Sequence, residues 1–533
     1  MDLPTILTPL LLGISTQFAL HPIPEVPTLP VLSSWILFDI VFLIYNLLHL
    51  MIPTAVLSLI QFNALYFISL LLTCAFHRLY LNPLRAFPGH RLSALTKLQE
   101  THLNLQGRQC FVLESLHAQH GDFIRIGPNE LSIRNVDALK LLLRQPYNNR
   151  GPFYLIGKAG GSDHLSVTRS NAKHLKWRRI WDKAFGRVAL EEYNPRVEWH
   201  ARKLIRKLEE IAGGEVDIRG PVEGFAFDIM ADLAFGVPNY GIQDGTGDPS
   251  IISFAHDFVR IVAAVAPLRN ICQIASLLPI PAGVQRFRLK QHEMINARLS
   301  LGTSRSDIFA HLIGEDTESG ERFTRDQLTS NAELVIVAGT DTTATVLTQL
   351  FRELAIRREV QRKLYEEIVE KMGEEVELDV NNVKTMPYLQ AVIDEIMRLW
   401  TPLPSGLQHQ TGPDGAWVDG VFVPPNTAFR IPHMALMKDE RYFPRGREFW
   451  PERWIEEGGV KEPKAFVPFS YGAHKCVGMQ LALNELRLAT ASVVRKFDIQ
   501  LGDSYNEEDY SQGWKDYFLV ALPEVKLKFV PRK

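Results

Sequence analysis

The chain has 533 residues, 46% hydrophobic and 22% charged, with 58 Lys+Arg against 60 Asp+Glu for a formal net charge of −2. Abundant apolar residues exclude a disordered or collagen-like chain, and the near-neutral balance gives no electrostatic footprint for nucleic acid. Four cysteines (Cys74, Cys110, Cys272 and Cys476) cannot build a disulfide framework in a chain this long and favour a reducing compartment.

The apolar residues crowd the N-terminus. Residues 3–20 carry no charge, 31–51 carry one acid (Asp39), and 54–76 are charge-free. As a helix the last run reaches roughly 34 Å, enough for a ~30 Å hydrocarbon core. The first begins Met1-Asp2, without the basic region of a cleavable signal peptide. Asp39, Asn46 and His49 leave the middle run open to a surface or hairpin arrangement. His77, Arg78, Arg85, Arg91 and Lys97 then mark a cytosolic flank, so everything downstream is expected in the cytosol. Pro83 and Pro88 stop the helix and make a stiff hinge. The expected organisation is a membrane-anchoring region over 1–82, with one to three hydrophobic segments, and one large domain over 83–533. That domain reads as mainly helical, with strand signals at Asp122–Ile126, Val418–Val423 and Val525–Val530. Tyr240–Ser250 is too short for a domain linker.

Further along, several segments break local rules. The long apolar run Arg325–Phe351 opens with Thr324 and Gln327, a capping box. Its centre, Ala338-Gly339-Thr340-Asp341-Thr342-Thr343, sets poor helix formers among Val, Ile and Leu, where hydroxyls compete for backbone carbonyls. Glu395-Ile-Met-Arg398 lies in the helical run Tyr388–Leu399; its i, i+3 spacing alone describes an ordinary ion pair. Pro451-Glu452-Arg453-Trp454 follows. Last comes Phe469-Ser-Tyr-Gly472-Ala-His474-Lys475-Cys476-Val-Gly478, directly before the periodic run Met479–Ala491. Its glycines allow a tight turn and close approach, and the first amides of the next helix favour an anionic sulfur. Three fates fit Cys476: a thiolate metal ligand, a nucleophile with a histidine base, or an inert buried thiol. Without CxxC or HxxxH spacing, zinc is disfavoured.

Taken together, these segments resemble the motifs of the cytochrome P450 superfamily. The cysteine loop is similar to the family's heme-binding loop, Phe-x-x-Gly-x-Arg-x-Cys-x-Gly, and matches it at Phe469, Gly472, Cys476 and Gly478. It departs at His474, where the family has a propionate-binding Arg; a histidine offers one hydrogen bond in place of a fork. The ExxR and PERW segments resemble the family's buried ionic network, which implies a structural role for Glu395, Arg398 and Arg453. The helix centre resembles the distal-helix pattern, which implies that Ala338 and Gly339 line the oxygen site and that Asp341 and Thr342 form an acid–alcohol proton relay. His174-Leu-Lys-Trp177-Arg178 resembles the helix that contacts the propionates, with His174 and Arg178 as its contacts. Phe225–Gly236 and the hinge Asn82–Gly89 resemble fungal members in particular.

The resemblance implies a mainly α fold with a small β portion, preceded by N-terminal transmembrane helices. It implies heme b with Cys476 as axial thiolate, whose electron donation favours O–O cleavage. The implied reaction is monooxygenation of a small apolar organic substrate with O2. No GxGxxG motif for a nicotinamide or flavin is present, so electrons are expected from NADPH–cytochrome P450 reductase, meeting a basic face of Arg445, Arg447, Lys461, Lys464 and Lys475. The expected location is the lipid of the endoplasmic reticulum membrane, with the catalytic domain facing the cytosol. Candidate substrate walls are Gly151–Leu165, Ala338–Thr342, Leu403–Leu407 and Trp514–Leu519. A heme-thiolate isomerase or dehydratase working without O2 or reductase is the second reading, and a non-catalytic membrane protein the third. The Asp341-Thr342 pair speaks against the former and the intact cysteine loop against the latter. The general look is of fungal members that tailor secondary metabolites, the tryprostatin B 6-hydroxylase-like group among them.

Overall fold

The structure, a computed structural model, describes the whole chain except residues 1–2, 22, 24–25, 144–148, 157–162, 239, 269, 271–273, 275–276, 278, 280, 303–304, 315–319, 321, 374–375 and 533. Cys272 and the 157–162 part of the Gly151–Leu165 wall lie outside the described residues.

The three N-terminal runs form helices α1 (Leu3–Leu20), α2 (Thr28–His49) and α3 (Ile52–Phe76), each long and apolar enough to cross a membrane. Only Leu50 and Met51 separate α2 from α3, which starts at Ile52 with Pro53 in its first turn, where a missing N–H costs nothing. The chain leaves α3 through a π-turn at His77–Leu81 and stops at Pro83, where Leu84 N–H donates to Asn82 Oδ1 at 2.8 Å.

The longer helices beyond the hinge are α4 (Asn171–Ala184), α5 (Arg187–Glu210), α6 (Arg219–Phe235), α7 (Ser250–Val265), α8 (Ala282–Ser300), α9 (Arg325–Ile356), α10 (Arg358–Met372), α11 (Pro387–Leu399) and α12 (Met479–Lys496). The α9 helix runs through the middle, packed by α6, α8 and α12. Its N-terminus closes as the sequence predicts: Gln327 N–H donates to Thr324 Oγ1, and Gln327 Oε1 accepts from the Thr324 N–H. The core is one apolar cluster around these helices, including Phe225, Phe235, Leu347, Phe351, Ile396 and Leu486.

The strands are short. β1 (Phe123–Gly127), β2 (Glu130–Ile133), β3 (Asn149–Arg150), β5 (Gln408–Gln410) and β8 (Ala428–Arg430) form one sheet in the order β1-β2-β8-β5-β3, parallel only between β2 and β8. β4 (Glu215–Asp217), β9 (Phe497–Leu501) and β12 (Lys526–Pro531) form a second, and β10 (Lys515–Tyr517) pairs with β11 (Leu519–Ala521). The predicted strand Val418–Val423 is instead a hairpin of β6 (Ala416–Val418) and β7 (Val421–Val423). Asp419 and Gly420, at φ 46° and 74°, reverse the chain; this Asp-Gly pair is a two-residue turn signal that the apolar run conceals.

Candidate active site

The cysteine loop is pinned at both ends. Cys476 N–H donates to Phe469 C=O at 2.9 Å, and Lys475 N–H to Gly472 C=O at 3.2 Å. Gly472 sits at φ 75°, and a Cβ there would lie 2.1 Å from the Leu142 carbonyl oxygen, so the turn requires glycine. Arg178 on α4 donates to Lys475 C=O at 2.6 Å and to Asp182 at 2.7 Å. It thus fastens the loop's backbone. The Cys476 thiol has accessible surface yet sits deep among protein atoms: it faces an internal cleft. Burial raises its pKa, against a hydrogen bond from the Gly478 N–H and the charge of Arg178.

Beside the loop is a cluster of basic side chains. The rings of His174 and His474 lie 4.0 Å apart, and His409 lies 5.9 Å from His474. Arg150 faces His409 across the β3–β5 pair. Burial, then Arg150 and Arg178, push His174 down to about 4. Burial, then Arg150 and His433, lower His409 as well. His174 Nδ1 and Arg150 Nε are buried with no hydrogen-bond partner among the described residues. Neither Arg150 nor His409 carries a motif that would have marked it in the sequence.

On α9 the polar segment divides by helical angle. Ala338 is exposed and Thr342 half-open, one turn apart, in a stretch otherwise buried or half-buried. Thr342 Oγ1 donates to Ala338 C=O at 2.7 Å. Gly339, expected beside Ala338, points elsewhere: a Cβ on it would meet Met230 Sδ of α6 at 2.2 Å, because one residue turns the helix by about 100°. Asp341 likewise faces away from Thr342, with its Oδ1 3.2 Å from His256 Nε2 on α7. Behind α9, Glu485 of α12 is fully enclosed; burial lifts it to about 8, against a hydrogen bond with Thr343.

Glu395, Arg398 and Arg453 are fully buried together. Glu395 accepts from Arg398 Nη2 at 2.8 Å, Arg453 Nε at 3.0 Å, Trp450 N–H at 2.9 Å and Trp454 Nε1 at 3.1 Å. The remaining guanidinium hydrogens serve backbone carbonyls, among them Met437, Gly446 and Arg445. Every lone pair is answered, which a buried charge needs to persist. Trp454 then packs on Phe466 at 4.6 Å, three residues before the cysteine loop.

The candidate walls also converge. Phe153 stacks on Phe518 at 5.4 Å, and the pair packs with Tyr154 and Val262. The Leu403–Leu407 turn is tied to the β10–β11 hairpin by Ser405 with Asp516 and by Val520 N–H on Pro402 C=O at 3.1 Å.

The cytochrome P450 family model matches residues 98–529. The chain belongs to the cytochrome P450 family. Cytochrome P450 monooxygenase FCK2 of Fusarium pseudograminearum is 31% identical over 469 residues, covering 87% of this chain and 85% of that protein. The trichothecene C-15 hydroxylase of Fusarium sporotrichioides is 29% identical, covering 86% and 95%. The fold itself matches a cytochrome P450DA heme domain at TM-score 0.72 and 18% identity, covering 84% of this chain and 98% of that one. The chain is therefore an oxidoreductase of the heme-thiolate monooxygenase type, which acts on organic molecules with O2 and a redox partner.

Proposed function

We propose that the protein is a membrane-anchored monooxygenase that hydroxylates a small apolar compound in fungal secondary metabolism, with Cys476 as the heme ligand. The observation that carries this reading is the pairing of a pinned, inward-facing thiol with the cluster of His174, His474, His409 and Arg150 beside it. The donor set fits heme b: a dianionic edge answers His174, His474, His409 and Arg150, and a soft thiol suits iron. Bound there, the heme supplies dioxygen activation, aided by thiolate donation.

The chain's own residues do the rest. Arg178 and the Gly478 N–H hold the loop and its sulfur in place. Thr342, with its hydroxyl fixed on Ala338 C=O, offers an oxygen lone pair to the cleft and can pass a proton there. The Phe153–Phe518 pair and Val262 present an apolar wall that excludes water and orients an apolar substrate. Relatives named as hydroxylases of fungal metabolites support the substrate class. The exposed Lys461, Lys464 and Lys475 support docking of an acidic reductase, NADPH–cytochrome P450 reductase; Arg445 and Arg447 are instead engaged by Glu448 and Glu114. The three N-terminal helices support an endoplasmic reticulum anchor with the catalytic domain in the cytosol.

The reduced carbon-monoxide difference spectrum tests the ligand. The thiolate-type band is expected in the wild type and absent in Cys476→Ala; a band that survives the substitution rejects Cys476. Reductase- and O2-dependent NADPH oxidation tests the reaction, and peroxide rearrangement under anaerobic conditions without reductase would favour the isomerase reading.

A further inference from the structure

Two cavities meet at the Asp341–His256 contact. The larger, about 440 Å³ and open at the surface, is bordered by Arg219, Glu223, Ser253 and His256. The smaller, about 90 Å³, shares Arg219, Glu223 and His256 and ends on Asp341 and Thr345. At ~30 Å³ per water it holds about three, with Arg219, Glu223, His256 and Asp341 as polar partners among otherwise mixed walls that include Val259 and Leu519. Arg219, Glu223 and His256 therefore form a partition between surface water and a carboxylate that is 7% exposed.

We propose that His256 is a positioning residue for proton delivery, taking protons from the outer cavity and passing them to Asp341. This rests on the monooxygenase reading above, in which O2, two electrons, two protons and R–H give R–OH and water. Each proton leaves Nε2 of the imidazolium and forms an O–H bond on Asp341 Oδ1. The imidazole regains a proton from water in the outer cavity, and Asp341 hands its own to water in the inner cavity. No net charge stays on the pair after a cycle.

The surroundings favour a charged ring. Asp341 reaches it from α9, Glu223 and Arg219 from α6, and Arg260 from its own helix; Lys207 of α5, Asp217 of β4 and Tyr517 of β10 line the two cavities. Burial lowers the His256 pKa, but the hydrogen bond to Asp341 and the charges of Asp341 and Glu223 outweigh burial and Arg260, and hold it above its ordinary value. An imidazole so placed can take up a proton and still release it.

The test uses the full-length holoenzyme with NADPH–cytochrome P450 reductase and no added substrate, following NADPH oxidation against pH in H2O and D2O. His256→Gln keeps a polar side chain but carries no proton. It is expected to lower the rate by about tenfold or more, to enlarge the solvent isotope effect, and to abolish the fall in rate above the His256 pKa. Glu223→Gln is expected to move that fall to lower pH. Apart from turnover, NMR of histidine-labelled enzyme should show His256 titrating above 6.5 in the wild type and lower in Asp341→Asn. An unchanged pH limb and isotope effect in His256→Gln, or a His256 resonance indifferent to Asp341→Asn, overturns the proposal. The carbon-monoxide band keeps the two readings apart: its survival in Cys476→Ala sinks the ligand assignment, whereas His256→Gln is expected to retain it. Should His256→Gln fail to fold, Glu223→Gln and the resonance decide the matter.

Discussion

Gly472 shows how little freedom the cysteine loop has. At φ 75° an alanine costs about 1–2 kcal/mol in the backbone alone, and its methyl would also strike the Leu142 carbonyl. Gly458 shares the conformation, at φ 80°, but has nothing within 4 Å of an added Cβ. Gly472→Ala is expected to remove most of the carbon-monoxide band, whereas Gly458→Ala loses only the backbone increment and keeps the band. Glu485 is a different kind of local cost. Its folded pKa, about 8, lies above the ordinary 4.5, so it favours the fold below pH 4.5, and that contribution disappears as pH rises through 8. The distance from 4.5 to about 8 corresponds to roughly 4–5 kcal/mol at the limit. Glu485→Gln should leave the melting temperature nearly unchanged at pH 5 and raise it at pH 9; equal melting curves at both would show that the carboxyl titrates normally.

Among the elements, the ionic network was the most legible, since ExxR on a helix and a later Arg453 appear in order in the sequence. What the motif did not disclose was the extent of satisfaction: Arg453 serves Glu395 and four carbonyls, Pro444, Arg445, Glu448 and Gly459. A lysine, with a compact head, cannot reproduce that fork. Arg453→Lys is therefore expected to fail almost as badly as Arg453→Met, at about 3–5 kcal/mol, seen as loss of a protease-resistant domain before any question of activity. An Arg453→Lys chain that accumulates like the wild type would reduce the network to a single ion pair. Arg150 and His409 were illegible for the opposite reason. They become neighbours only through a two-residue strand pair joining positions 259 residues apart, and no periodicity encodes such a pairing. The directions of Gly339 and Asp341 were in principle available from the helical angle, yet a motif read as a string puts every letter on the same side.

At the scale of the whole molecule, the N-terminal helices form a unit in their own right. Gly13 lets α1 approach α3 so closely that a Cβ would lie 2.6 Å from the Tyr66 carbonyl oxygen, and Ser69 Oγ donates to Leu10 C=O at 2.7 Å. The middle run's awkward Asp39 finds a partner too: Asn63 Nδ2 donates to it at 3.0 Å, while Asn63 Oδ1 accepts from Trp35 Nε1 at 3.0 Å. A polar chain of this kind joins helices in lipid with a modest contribution, about 0.6–2 kcal/mol per bond. The rings of His21 and His77, just past the ends of α1 and α3, are 4.0 Å apart, so the two helices run parallel and finish on one side. Basic residues follow α3, which under the proposed orientation places that side in the cytosol. If all three helices span, the N-terminus is lumenal. A glycosylation acceptor fused ahead of Met1 should then be modified in microsomes, and one inserted between α1 and α2 should not. An unmodified N-terminal acceptor would mean that only two of the three helices cross, with α1 or α2 lying along the surface. Asn63→Leu gives a second view of the same question: with Asp39 left unpaired, α2 should detach from α3 and no longer span, and the inserted α1–α2 acceptor should become lumenal and be modified while the catalytic domain stays in place.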